Sequence, residues 1–250
     1  MNDFKIIRND LISLGLGKGD SVLIHSSFKS MGEVDGGIQT LVDAILDCIG
    51  STGTLLAPTL SYEYVPQTNP IYNHVDTPSC VGAVSEFIRS MDGAKRSIHP
   101  THSCAAIGDK RDFFVCGHEN DETPVGENSP ISKLPKIGGK VLMLGCFFGF
   151  NTSMHGIEEK FPVSYVLSEK PISHTIVLND RTYEKNYYRH SISKNGFDQR
   201  YDRLLNVMDV NRGIIHGAQS ILIDCATMWK TALETLKKDE FYFVERRVTQ

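Results

Sequence analysis

Through the first half of the chain, short unbroken apolar runs alternate with stretches in which apolar residues recur every three or four positions. Ser21-Val22-Leu23-Ile24 is such a run, and Ile38, Leu41, Val42, Ile45, Leu46 and Ile49 follow at helical spacing, the pattern of a buried strand leading into an amphipathic helix. Thr54-Leu55-Leu56-Ala57 repeats the run and stops at Pro58. Ser79 stands where an N-cap belongs, ahead of Val81, Val84, Phe87 and Ile88 at helical spacing. Cys104-Ala105-Ala106-Ile107 and Val141-Leu142-Met143-Leu144 are two further strand candidates, with a short helix between them. Strands in alternation with helices predict an α/β fold with a mainly parallel central sheet flanked by helices.

The pattern changes near residue 168. Residues 172–178 and 182–188 are joined by the turn pair Asn179-Asp180 and predict a hairpin. A helical stretch over 201–208 and a long amphipathic helix over about 224–237 follow. The sequence is therefore read as an α/β core, residues 1–167, and an irregular α+β C-terminal subdomain, residues 168–250. Parallel sheets place ligands beyond the carboxyl ends of their strands. Two such ends are polar: His25-Ser26-Ser27, and the stretch from Gly145 to Glu158.

The second of these carries the most pointed chemistry. In a helix each residue turns about 100°, so Thr152, His155 and Glu158 share one stripe with His155 in the middle. A histidine beside a carboxylate suits base catalysis near neutral pH, because the carboxylate sets the tautomer and stabilises the imidazolium. A neighbouring hydroxyl can orient substrate or meet a developing oxyanion. The same residues also make an ordinary polar helix face. His25, Ser26 and Ser27 follow the first strand, where amides and hydroxyls can hold a phosphate or a pantetheine amide, or simply cap a turn. Arg96-Ser97-Ile98-His99-Pro100-Thr101-His102-Ser103 gathers a cation, two histidines and several hydroxyls. Arg96 suits a phosphate, and Pro100 opposes a regular helical metal pair of His99 and His102. Cys146, at a strand end near His155 and Glu158, opens a rival route through a Cys–His–Glu nucleophilic triad. Gly15-Leu16-Gly17-Lys18-Gly19 has neither Walker spacing nor the Rossmann context, since it precedes its strand.

Composition narrows the classes. The six cysteines contain no Cys-x-x-Cys pair, which argues against a zinc site or disulfide framework and fits a reducing cytoplasm. The formal net charge of −4 gives no electrostatic footprint for nucleic acid. No apolar run approaches the roughly 18 residues of a membrane span, and Met1-Asn2-Asp3-Phe4-Lys5 does not begin a signal peptide. A cytoplasmic protein without membrane or nucleic-acid partners is expected.

Taken in order, a series of short segments resembles the aminoglycoside 3-N-acetyltransferase family over about residues 19–160. They run from Gly19 to Ser27 and on through Gly36-Gly37, Pro78-Ser79-Cys80-Val81-Gly82 and Arg96 to Ser103. Gly126-Glu127-Asn128-Ser129-Pro130, Gly145 and Thr152-x-x-His155-x-x-Glu158 complete the series. The resemblance implies direct acetyl transfer from acetyl-CoA to an amino group of an aminoglycoside, with no metal. His155 is then the base, Glu158 its partner and Thr152 the adjoining hydroxyl. His25, Ser26, Ser27, Arg96, Ser97, His102 and Ser103 face the coenzyme. Only a loose match continues around 198–202 and 213–218, so an amino sugar of surface polysaccharide synthesis is the alternative acceptor. Two readings from other classes are a metal-dependent hydrolase using His99, His102 and His155, and a non-catalytic coenzyme A or sugar-binding module.

Overall fold

The computed structural model describes residues 2–247. In chain order the helices are α1 (Asp3–Leu14), α2 (Gly37–Ile49), α3 (Ala83–Ser90), α4 (Arg111–Val115), α5 (Pro130–Lys133), α6 (Ser153–Lys160) and α7 (Cys225–Leu236). The strands are β1 (Ser21–Ser26), β2 (Thr54–Pro58), β3 (Ile71–Asn73), β4 (Lys95–Arg96), β5 (Cys104–Gly108), β6 (Lys140–Leu144), β7 (Ile172–Val177), β8 (Thr182–Tyr187), β9 (Phe197–Gln199), β10 (Asn211–Ile215), β11 (Ala218–Asp224) and β12 (Val244–Arg246).

The main sheet has the order β10-β11-β6-β1-β2-β5-β4. Its centre, β6-β1-β2, is parallel, and both flanks are antiparallel. Connection length explains the outermost pair, β10–β11. Only His216 and Gly217 join β10 to β11, both at positive φ, the tight two-residue hairpin that right-handed strand twist favours. Parallel neighbours need a longer crossover, and β1 reaches β2 through α2. Helices cover both faces, as the α/β pattern predicts.

Alternation decides which face each apolar residue serves. Val22 and Ile24 of β1, with Leu142 and Leu144 of β6, pack under α1, α2 and α3; Leu23, Val141 and Met143 pack on the opposite face under α6 and α7. Such strands are buried on both sides and read as unbroken apolar runs. α3 begins at Ala83 after Gly82, four residues later than the expected cap at Ser79. Ser79 Oγ instead accepts the Val81 N–H at 3.4 Å, closing a turn, because Gly82 leaves the helix at φ 107°.

The hairpin expected in the C-terminal third is β7–β8, extended by β3 into a three-stranded sheet around Val65, Tyr72, Ile176 and Tyr187. The expected helix over 201–208 is a short 3-10 segment, Tyr201–Asn206. The chain then returns to the main sheet, since β10 and β11 pair beside β6, and α7 packs on its face. No helix among the described residues is long and apolar enough to cross a membrane.

Candidate active site

Because β1, β2 and β6 are parallel, their carboxyl ends share one edge of the sheet. A cavity of about 840 Å³ lies there, lined by His25 and Ser26 from β1, Pro58 from β2 and Cys146 just beyond β6. Gly145 makes the turn out of β6. Its φ is 61°, and a Cβ there would stand 1.6 Å from Ser30 Oγ, so the close approach of the two loops requires glycine.

The chain then enters α6, where Asn151 Oδ1 accepts the Ser153 N–H at 3.1 Å. α6 is pressed against α7. A Cβ on Gly156 would lie 2.8 Å from both the Trp229 ring and Val125 Cγ1, and Trp229 Nε1–H donates to Ser153 Oγ at 2.8 Å. These contacts, at Ser153 and Gly156, hold His155 between them on the cavity wall.

His155 and Glu158 are brought together as their spacing predicts, with Tyr201 between them. The Tyr201 hydroxyl is 2.6 Å from Glu158 Oε2 and 2.9 Å from His155 Nδ1. The direct His155 Nδ1–Glu158 Oε2 distance is 3.5 Å. Tyr165 donates to Glu158 Oε1 at 2.9 Å. A phenol has one proton to give. Burial, and next the charge of Glu158, push the Tyr201 phenol well above its ordinary pKa, so it stays protonated and donates to the carboxylate. Its oxygen therefore accepts from His155 Nδ1–H. That tautomer leaves the lone pair on Nε2, where Gln199 Nε2 approaches to 3.4 Å. The geometry suits a general base.

Thr152 Oγ1 is 3.4 Å from His25 Nε2, and both residues line the cavity together with His155. Burial, and then repulsion from His155, lower the His25 pKa to about 3. His25 is a neutral wall residue at working pH.

A second polar chain runs beside His155. His102 Nδ1 is 2.9 Å from Thr101 Oγ1, His102 Nε2 is 3.1 Å from His190 Nδ1, and His190 Nε2 is 2.7 Å from Glu159 Oε1. The His190 ring lies 4.1 Å from that of His155, inclined by 32°.

The remaining expected coenzyme contacts are placed elsewhere. Arg96 gives Nε–H to Ser103 Oγ at 2.8 Å, and its terminal nitrogens to the carbonyls of Thr77 (2.6 Å), Thr59 (2.9 Å) and His74 (3.2 Å). Ser97 Oγ accepts the Cys104 N–H and meets His118 Nδ1, each at 2.9 Å. Ser103 donates to the Thr59 carbonyl at 2.9 Å. A guanidinium with four of its five donors so engaged tethers the β4–β5 edge to the 59–77 segment. Ser27 N–H donates to the Leu144 carbonyl at 2.9 Å, binding the end of β1 to that of β6. Of the expected set, His25, Ser26 and His102 line the cavity.

His99 Nδ1 accepts the Thr101 and His102 N–H groups at 3.2 and 3.0 Å. Among the described residues, no group of three or more His, Cys, Asp or Glu side chains is arranged to hold a metal ion. Cys146 lines the cavity, and burial raises its thiol pKa to about 11, unfavourable for a nucleophile. Tyr165, Tyr201, Gln199, Glu159 and His190 escaped the sequence reading. Gln199 and Tyr201 lie in the loosely matching stretch 198–202, the one available hint. His190 and Glu159 are 31 residues apart, with no motif to join them.

Residues 23–237 match the family described as aminoglycoside 3-N-acetyltransferase. Aminoglycoside N(3)-acetyltransferase VII of Streptomyces paromomycinus is 34% identical over 169 residues, covering 61% of this chain and 58% of that protein. The chain thus matches under two thirds of that relative's length. Solved structures align more fully. AAC-IIIb in a binary complex with CoASH has a TM-score of 0.79 at 26% identity, covering 94% of this chain and 96% of that one. AAC-VIa bound to sisomicin has a TM-score of 0.78 at 28% identity, covering 95% and 98%. This chain belongs to the aminoglycoside 3-N-acetyltransferase family.

Proposed function

We propose that this protein transfers the acetyl group of acetyl-CoA to an amino group of an aminoglycoside, of the 3-N type, by direct attack with His155 as base. The observation that carries this reading is the Tyr201 bridge, which leaves His155 Nε2 as the basic nitrogen at the cavity wall. The CoASH complex of AAC-IIIb and the sisomicin complex of AAC-VIa support the choice of donor and acceptor. Six free cysteines suit a reducing compartment, and a cytoplasmic setting is part of the reading.

The chemistry follows from the geometry. A neutral amine attacks the thioester carbonyl, and His155 Nε2 takes the proton that the nitrogen sheds as the N–C bond forms. Nδ1–H remains bonded to Tyr201, and the Glu158 carboxylate behind it stabilises the imidazolium. The C–S bond then breaks with its electron pair on sulfur, and the imidazolium protonates the thiolate. Thr152 is the proposed oxyanion donor. Base assistance contributes about 10²–10⁴-fold, and alignment of two bound reactants contributes more. Residues 189–194 and Gln199 bring the C-terminal part of the chain into the wall; we take that part as the acceptor side.

One observation favours a second acceptor. Arg189 and Lys194 bring positive charge to the wall, which suits an uncharged or anionic amino sugar better than a polycation. Acetyl-CoA incubated with a panel of aminoglycosides and amino sugars, with thiol release as the readout, tests both. Release with an aminoglycoside, lost in His155→Ala, is the expected result. Release with amino sugars alone selects the second acceptor, and no release with any amine overturns the transfer reading.

The route is expected to be a ternary complex. Cys146→Ser should keep near-wild-type kcat, and double-reciprocal plots should intersect. Parallel plots, with acetylated Cys146 in the mass spectrum after acetyl-CoA alone, would instead identify a covalent intermediate.

A further inference from the structure

We infer that Glu159, His190 and His102 form a proton relay that removes the second proton an ammonium acceptor must lose, a task separate from that of His155. The inference rests on the transfer reading above. It begins from proton balance. An aliphatic amine near neutral pH arrives as R–NH3+, and the products are the amide, the thiol and one free proton. The nitrogen therefore gives up two protons. One travels through His155 to the departing sulfur. The other must leave before attack, because a protonated amine has no lone pair, and His155 must be unprotonated when attack begins.

The structure holds a second path of the right form. Thr101, His102 and His190 all line the cavity, while the Glu159 side chain is only 5% exposed. The three links are 2.9, 3.1 and 2.7 Å. Each imidazole has one nitrogen turned to each neighbour, so two proton arrangements satisfy every link. With Glu159 ionised, His190 Nε2–H donates to it, His102 Nε2–H donates to His190 Nδ1, and the Thr101 hydroxyl donates to His102 Nδ1. The ammonium gives a proton to Thr101 Oγ1 as the Thr101 hydroxyl proton passes to His102 Nδ1; each N–H then shifts one step along, and Glu159 ends protonated. The relay then reverses to release the proton to water. No bond to carbon changes, and no co-reactant is needed.

The groups facing this chain agree with its direction. Glu159 is faced by His190, with His155 and Asp121 in electrostatic reach; His102 is faced by His190, His155, His99, His118, Tyr62 and Arg189, and His190 by His155 and His99. Burial raises Glu159 to about 7, so the terminal carboxyl changes protonation in the working range. Burial holds both histidines well below their usual pKa, so they pass the proton on and do not keep it. The Val125 N–H, bonded to Glu159 Oε1 at 2.9 Å, fixes the terminus in place.

The test compares pH profiles of kcat/KM, with sisomicin as first probe or another amine that releases thiol in the screen above. Glu159→Gln preserves shape and hydrogen bonding but cannot accept the proton; His190→Asn breaks the wire and serves if the first variant does not fold. The expected loss is about tenfold or more at neutral pH, shrinking toward wild type as pH passes the pKa of the acetylated amine, because that amine then arrives neutral. A loss of constant ratio at every pH, or wild-type activity in both variants at neutral pH, overturns the relay. His155→Ala is the control: its loss should persist at every pH, and its survival would sink the base assignment instead.

Discussion

Replacing His155 with alanine is expected to lower kcat by about 10²–10⁴-fold while leaving the dissociation constant for acetyl-CoA nearly unchanged. The imidazole stands at the cavity wall, and its basic nitrogen is defined by the carboxylate that Tyr201 bridges to Nδ1. Its loss removes a transition-state contribution and little ground-state binding. Single-turnover acetyl transfer and calorimetric titration with coenzyme A measure the two quantities separately. A variant that retains near-wild-type kcat would overturn the base assignment. Glu158→Gln acts in the same direction but more weakly, since the histidine survives and loses only its orienting charge. Tyr201→Phe is expected to resemble it, because the hydroxyl carries the contact from Glu158 Oε2 to His155 Nδ1 at 2.6 and 2.9 Å.

The second large effect lies behind the site. Trp229→Ala is expected to cost about 3–5 kcal/mol of unfolding free energy, read from the midpoint of urea denaturation. The indole is 6% exposed and rests on the bare backbone at Gly156, and its N–H is donated to Ser153. Truncation leaves a cavity between α6 and α7 and strips Ser153 Oγ of a donor. Because α6 also carries His155, activity should fall with stability, and more than in a surface variant of α7 such as Lys230→Ala. Wild-type stability in Trp229→Ala would mean that α6 is held by other contacts.

The proposed catalytic pair was legible in the sequence because helix periodicity is local. Once residues 152–158 are helical, His155 and Glu158 must share a face, whatever the rest of the chain does. The parallel centre of the sheet was legible for a similar reason: apolar runs such as Val22-Leu23-Ile24 and Val141-Leu142-Met143-Leu144 exceed what a one-sided strand needs. The three-residue spacing also suggested that Thr152 joins the pair. The structure adds that its hydroxyl lies 3.4 Å from His25 Nε2, a contact across 127 residues that helical spacing has no means to show.

Arg96, Ser97 and Ser103 show the opposite case. Their residue types suit a phosphate in any sequence, and nothing local reveals whether a donor is free. The carbonyls of Thr59, His74 and Thr77, distant in sequence, engage the guanidinium. Only tertiary structure records that. Tyr201 reaches Glu158 across 43 residues, and His190 reaches His102 across 88. The sequence by itself determined the α/β core and the helix that sets His155 beside the Glu158 carboxylate, because short-range periodicity and burial specify these. Tertiary structure alone decided the tautomer of His155, the second histidine–carboxylate chain and the engagement of Arg96. Each depends on hydrogen bonds whose partners meet only when the C-terminal segments and the long loops close over the strand ends.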